Sequence, residues 1–247
     1  IRPDPAGPEP LQRAFEAALE SYPERPTVEV NARVELPAGA GLGCSAAIGV
    51  AVLDAIDDAI GMKRSRAELA EAALVWEKVF HGNPSGIDNT MSAVGGVALY
   101  RKGEPLEPLR SNKPLSLVIG YSGEPSSTKE MVASVARQLD DDPERVTKAF
   151  EGIEVLVRNA KLAIEVGDLI ALGQLLDLNH TILSSLMLCT TKVDAMCQAA
   201  REAGALGAKM TGAGGGGCMF ALATKPQDAA RLRDALGEHA FVAEVSA

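Results

Sequence analysis

Apolar positions recur along the chain with two different periods, and the switches between them mark the elements. Over residues 9–20, Leu11, Phe15, Ala18 and Leu19 share one helical face, and Pro23 and Pro26 end the run. Over residues 28–36, Val28, Val30, Ala32, Val34 and Leu36 alternate with Glu29, Asn31, Arg33 and Glu35, which predicts a strand buried on one face. A glycine-interrupted stretch, residues 37–47, separates this strand from a helix over residues 48–60. That helix turns Val52, Leu53, Ile56 and Ile60 inward and Asp54, Asp57 and Asp58 outward, and Gly61 stops it. A helix over residues 65–80 opens on Ser65, with Glu68 completing a capping box. A short helix over residues 85–94 and a strand over 97–101 follow.

Residues 102–114 hold Pro105, Pro108 and Pro114 and show little periodicity, so the domain boundary is placed there, giving domains 1–112 and 113–247. The second half predicts a strand over 115–121 and helices over 128–139, 143–166, 168–178 and 191–203. Short strands over 208–211 and 218–223 flank a glycine run. A helix over 226–238 and a strand over 241–245 close the chain. Strands covered by helices make this an α+β protein.

Composition narrows the function. The net charge of −9 argues against a nucleic-acid partner. A local nest of backbone N–H groups can still hold a nucleotide against an acidic surface. The apolar runs are too short and interrupted to span a membrane. The 4 cysteines, Cys44, Cys189, Cys197 and Cys218, form no C-x-x-C pair and read as reduced cytoplasmic thiols. The opening residues are proline-rich and start at Ile1 instead of Met, so further sequence is expected upstream.

Candidate chemistry lies in four stretches. Pro37-Ala-Gly-Ala-Gly-Leu-Gly-Cys-Ser-Ala-Ala47 joins strand to helix, and its glycines and the following helix N-terminus favour a phosphate. It matches neither a Walker A loop nor the dinucleotide fingerprint, and a tight turn without ligand is the alternative. Glu77 and Asp88 stand 11 positions apart around Gly82, Pro84 and Gly86, so one continuous helix cannot hold both. A carboxylate at a helix C-terminus suggests a compensating cation for Glu77; the alternative is a solvated pair with Lys78 or Lys63. Asp88 is alternatively a partner of a Ser85 helix cap. Lys209-Met-Thr-Gly-Ala-Gly-Gly-Gly-Gly-Cys218 is costly to order, which points to a ligand approaching its backbone unless it is a flexible linker. Ser126-Ser-Thr-Lys129 places hydroxyls at a helix start, which simple capping would also explain. His81 and His180 read as structural.

In this order the motifs resemble those of the GHMP kinase superfamily, and within it the mevalonate kinases. Pro37 to Ala47 is similar to the family's second motif, and Lys209 to Cys218 to its third. Glu77 with His81-Gly-Asn-Pro-Ser-Gly-Ile-Asp-Asn89 resembles the stretch that marks the mevalonate kinase branch, with support from Ser126-Ser-Thr-Lys129 and Leu178-Asn-His180. The resemblance implies a two-lobed fold, ribosomal-protein-S5-like then ferredoxin-like with extra helices, and an active site between the lobes. It implies Mg²⁺-assisted transfer of phosphate from ATP to the C5 hydroxyl of mevalonate, in the mevalonate pathway of isoprenoid synthesis. Gly39, Ala40, Gly41, Leu42, Gly43, Cys44, Ser45 and Ala46, with Gly212, Ala213, Gly214 and Gly215, would bind ATP. Ser45 and Glu77 would hold Mg²⁺. Asp88 would be the base, and Thr128 would contact substrate or γ-phosphate. Family members often form dimers, so a homodimer is expected. Cys44 stands where the family usually has serine, and the family's first motif, a lysine-bearing strand, is absent from the sequence.

Overall fold

The computed structural model describes residues 9–34, 39–81 and 84–245. They divide into two compact units: unit 1 draws on Ile1–Ala38, Gly43–Gly95 and Tyr100–Leu106, and unit 2 on Gly39–Leu42, Gly96–Leu99 and Glu107–Ala247. Pro37, Gly82 and Asn83, and the end of the expected strand at Glu35 and Leu36, lie outside the described residues.

Unit 1 is helical: α1 (Glu9–Glu20), α2 (Cys44–Ile60), α3 (Arg66–Ala72), α4 (Leu74–His81) and α5 (Ile87–Val94). Of the strand expected over residues 28–36, the described residues 28–34 are not in strand conformation. Val28 and Val30 pack on the helical core as the alternation required, but residues 28–34 join no ladder. A strand needs a partner for its backbone N–H and C=O groups, and unit 1 has no strand among its described residues.

Helix α2 starts four residues before the expected position 48, because Gly43 takes the left-handed conformation that opens it, at φ 64°. It ends on left-handed Gly61, as expected. Leu53 and Ile56 are fully buried, whereas Ile60 in the last turn is 42% exposed. Asp57, expected outside, is only 3% exposed. Tyr22 donates to its Oδ1 at 2.7 Å and Arg64 reaches the same carboxylate at 3.0 Å, which satisfies the buried charge. Arg64 also stacks 4.7 Å from the Tyr22 ring centroid. Burial and the Asp57 hydrogen bond push the Tyr22 phenol up to about 12. Asp57→Ala strands Arg64 and is expected to destabilise the chain by about 3 kcal/mol, read as a lowered Tm.

The expected helix over 65–80 is two helices. The Ser65–Glu68 capping box forms, but the chain turns at Ala73 and restarts as α4. Trp76 is then buried, edge-on to Phe15 at 5.9 Å and tilted on Phe80 at 6.3 Å. Gly49 of α2 lies flat on the indole, since an added Cβ would sit 2.6 Å from Trp76 Cγ.

Unit 2 opens with a two-stranded antiparallel pair, β1 (Val97–Leu99) and β2 (Glu107–Leu109). Its main sheet contains β3 (Leu115–Tyr121), then, after α6 (Thr128–Asp141), α7 (Pro143–Val166), α8 (Leu169–Ser185) and α9 (Thr191–Glu202), the strands β4 (Gly207–Met210) and β5 (Cys218–Leu222). Helix α10 (Pro226–Leu236) and β6 (Phe241–Val245) complete it. Ser127, within the hydroxyl-rich stretch 126–128, caps α6, Asp142 caps α7 with Pro143 in its first turn, and Asp168, expected as the first helical residue, is the N-cap of α8. The spatial order β4-β5-β3-β6, antiparallel throughout, is that of a ferredoxin-like sheet. Met210, Met219, Ala208 and Ala221 form one apolar face, covered by Val146, Val193, Cys197 and Ala200 of α7 and α9.

Candidate active site

Unit 1 gathers four polar side chains around the start of α2. Ser45 is in the first turn of α2, Glu77 and His81 lie one turn apart on α4, and Asp88 is in the first turn of α5. Glu77 is 2% exposed, so it is not the solvated partner of Lys78 or Lys63. Nor is it in a last turn: the break at Ala73 places it in the first turn of α4, where the helix dipole favours a carboxylate. Its Oε2 lies 3.6 Å from His81 Nε2, and His81 Nε2 is 3.4 Å from the Ser45 hydroxyl. Its Oε1 is buried with no hydrogen-bond partner. Burial raises the Glu77 pKa, the Ser45 hydroxyl and His81 draw it back, and the Asp88 charge adds to the rise.

Asp88 does not reciprocate a Ser85 cap. Left-handed Gly86 is the N-cap of α5 and makes no side-chain bond, so the carboxylate is released from capping. It lies against the backbone of Gly43, where an added Cβ would meet Oδ1 at 3.5 Å. Desolvation by surrounding protein raises its pKa, opposed by His81. The N–H groups of Gly43, Ser45 and Ala46 at the α2 N-terminus have no acceptor among the described residues. Cys44 is buried and its thiol pKa is raised by that burial, so it acts as a small apolar residue.

Unit 2 joins the two glycine loops. Cys218 donates its N–H to Ala40 O at 2.8 Å and Ser126 to Gly39 O at 3.0 Å. Gly41 meets Gly212 so closely that a Cβ on Gly212 would lie 3.0 Å from Gly41 Cα. The run between β4 and β5 is an ordered loop and not a linker. Gly215 N–H bonds Leu188 O, Gly217 N–H bonds Glu124 O, and the Ser126 hydroxyl bonds Gly214 O at 2.5 Å. Glycine is required at 214, with φ 91° and an added Cβ only 2.2 Å from Leu188 O. The remaining N–H groups, those of Gly41, Leu42, Gly212, Ala213, Gly214 and Gly216, have no acceptor among the described residues. Such a nest of unpaired donors can hold an anion.

Thr128 is exposed in the first turn of α6. Ser126 takes the contact with the glycine loop, which the hydroxyl-rich stretch had not assigned to any one residue. His81 was read as structural, yet it stands between Ser45 and Glu77. Its spacing of four from Glu77 on one helix was the signal that could have found it.

Unit 1 thus holds a buried lone carboxylate oxygen beside a serine with a second carboxylate nearby, unit 2 holds two glycine nests, and these residues fall within the profiles of the GHMP kinase family. Its N-terminal domain profile matches residues 10–96 and its C-terminal profile residues 160–242. The chain belongs to the GHMP kinase family. Its relatives include mevalonate kinases. That of Pyrococcus horikoshii is 43% identical over 86% of this chain and 64% of its own length. That of Methanothermobacter thermautotrophicus is 32% identical over 82% of this chain and 67% of its own length. The chain thus spans a little under two thirds of the length of the Pyrococcus horikoshii relative. Among solved structures, L. major mevalonate kinase in complex with R-mevalonate superposes with a TM-score of 0.86, at 26% identity over 96% of this chain and 76% of that one.

Proposed function

We propose that this chain carries the ATP-dependent phosphorylation of the C5 hydroxyl of mevalonate. The observation that carries the reading is the unit 1 cluster, in which Glu77 and Asp88, both with raised pKa values, flank the start of α2 with Ser45. The mevalonate kinase relatives support the acceptor.

The N–H groups of Gly41, Leu42, Gly43, Ser45 and Ala46 and those of Gly212, Ala213, Gly214 and Gly216, with Gly39, Ala40, Cys44 and Gly215 shaping the loops, bind the triphosphate. Ser45 and Glu77 fit Mg²⁺: one offers a hydroxyl, the other a buried carboxylate oxygen that nothing else uses, and both are the hard oxygen donors that ion takes. The ion would supply charge neutralisation on the phosphates. Asp88, poised by its raised pKa, takes the proton of the acceptor hydroxyl as that oxygen bonds to the γ-phosphorus and ADP departs. Thr128 contacts the acceptor or the γ-phosphate. Cys44, Cys189, Cys197 and Cys218 form no disulfide, which accords with a cytoplasmic enzyme.

The test is ADP release with mevalonate, compared with phosphomevalonate, galactose and homoserine. Turnover with mevalonate above the others is expected. Turnover with a different alcohol alone would reassign the acceptor, and nucleotide binding without ADP release from any of them would make the chain a non-catalytic relative.

A further inference from the structure

Strand β4 is an outer strand of the unit 2 sheet, and it runs directly into the glycine loop. An outer strand leaves alternate N–H and C=O groups without ladder partners. Here those are the groups of Ala208 and Met210, and side chains take all of them. Ala208 N–H bonds Asp177 Oδ1 at 2.9 Å, and Ala208 O accepts from Arg201 at 3.0 Å. Met210 N–H bonds His180 Nδ1 at 3.3 Å, and Met210 O accepts from Lys209 Nζ at 2.8 Å. Asp177 and Arg201 are themselves paired at 2.7 Å. Asp177 and His180 are three apart on α8, so one helix face meets strand positions two apart.

The bond to Met210 fixes the state of His180. An N–H pointing at Nδ1 requires a lone pair there, so the ring proton sits on Nε2, which faces Asp194 Oδ1 at 3.0 Å. The same geometry argues against a metal ion, although His180, Cys189 and Asp194 lie within ligand spacing. Nδ1 is taken by Met210, Nε2 carries the proton, and Arg201 and Lys209 add positive charge around the ring.

We propose that His180, oriented by Asp194, is a positioning residue for nucleotide binding. In its neutral form it clips Met210 and, with Asp177, Arg201 and Lys209, fixes where the Gly212–Gly217 loop begins. The role in nucleotide binding rests on the kinase reading; the clip itself does not. The groups facing the ring are Asp194 and Arg201 of α9, Lys209 of β4 and the thiol of Cys189. Burial holds the His180 pKa below its ordinary value, Arg201 and Lys209 add to this, and Asp194 opposes it. A histidine favoured neutral in the fold supports the loop above its ordinary titration range. The support is lost as pH falls through the depressed folded value, when Nδ1 gains a proton and no longer accepts.

The test is amide hydrogen exchange on the ligand-free chain, comparing wild type with His180→Asn and His180→Leu near neutral pH and about two pH units lower, corrected for intrinsic rates. Asparagine keeps an acceptor where Nδ1 stands and does not titrate; leucine has none. At neutral pH, His180→Leu is expected to lose about tenfold in protection at Met210 and at the bonded loop amides of Gly215 and Gly217, the scale of one hydrogen bond. His180→Asn should stay near wild type, and acidification should open the loop in wild type but not in His180→Asn. ATP titration should then show weakened affinity in His180→Leu and rescue in His180→Asn. Equal loop exchange in all three proteins, or zinc binding that needs Cys189, would overturn the clip. Loop exchange that behaves as expected in a wild type that does not bind ATP would leave the clip standing, overturn its role in nucleotide binding, and count against the kinase reading.

Discussion

Asp88→Asn is expected to lower kcat by about 10²- to 10⁴-fold, the usual contribution of a positioned general base, with ATP affinity nearly unchanged. The fold should tolerate the change. Desolvation raises the Asp88 pKa, so the ionised side chain is less favourable in the folded chain than in the unfolded one above the ordinary carboxylate range. Removing that charge at neutral pH should leave Tm unchanged or slightly higher. The pair of measurements separates chemistry from stability: a large loss of kcat at constant Tm assigns the proton transfer to Asp88. An unchanged kcat would remove it from the mechanism and leave the carboxylate against Gly43 without a role.

Glu77→Gln is expected to weaken activation by Mg²⁺ by about 10- to 100-fold and to lower kcat/KM at limiting Mg²⁺. Stability again discriminates. Were Glu77 held in place mainly as the ion-pair partner of His81, the amide would lower Tm. Because burial outweighs Ser45 and His81 in setting its pKa, the charge costs stability above the ordinary carboxylate range, and the amide should keep or raise Tm there. Unaltered Mg²⁺ dependence would exclude Glu77 as a ligand.

Much of the fold was legible because local signals agreed with one another. The limits of α1, β3 and β6 are those expected from the sequence, and the capping box of α3 forms as Ser65 and Glu68 predict. What was not legible depended on tertiary partners. Period two at residues 28–34 states that a strand would suit the side chains; it does not supply the neighbour a ladder needs. Asp57 looks solvent-facing on a helical wheel, and only the approach of Tyr22 and Arg64 makes its burial stable. The break at Ala73 carries no glycine or proline to announce it, yet it decides which end of a helix Glu77 occupies.

The site divides the same way. Glycine density located both nests, since few other functions justify ordering such segments. Asp88 was found, but its freedom depends on Gly86 displacing Ser85 as the cap, a choice between two adjacent residues that pattern alone leaves open. His81 and Ser126 were overlooked as partners because histidines and serines most often serve local structure. The bonds of Asp177 and His180 to the outer edge of β4 were out of reach, because they join α8 to a strand distant in sequence.

The central claim is that the unpaired amides of two glycine loops receive the phosphates of a nucleotide. Titration of the glycine-¹⁵N-labelled chain with MgADP, followed by amide chemical shift, tests it most directly. Saturable shifts should concentrate at Gly41, Gly43, Gly212, Gly214 and Gly216, leaving Gly61, Gly95 and Gly237 unmoved. Shifts at those three helix ends with none in the loops, or no saturable shift at all, would contradict it.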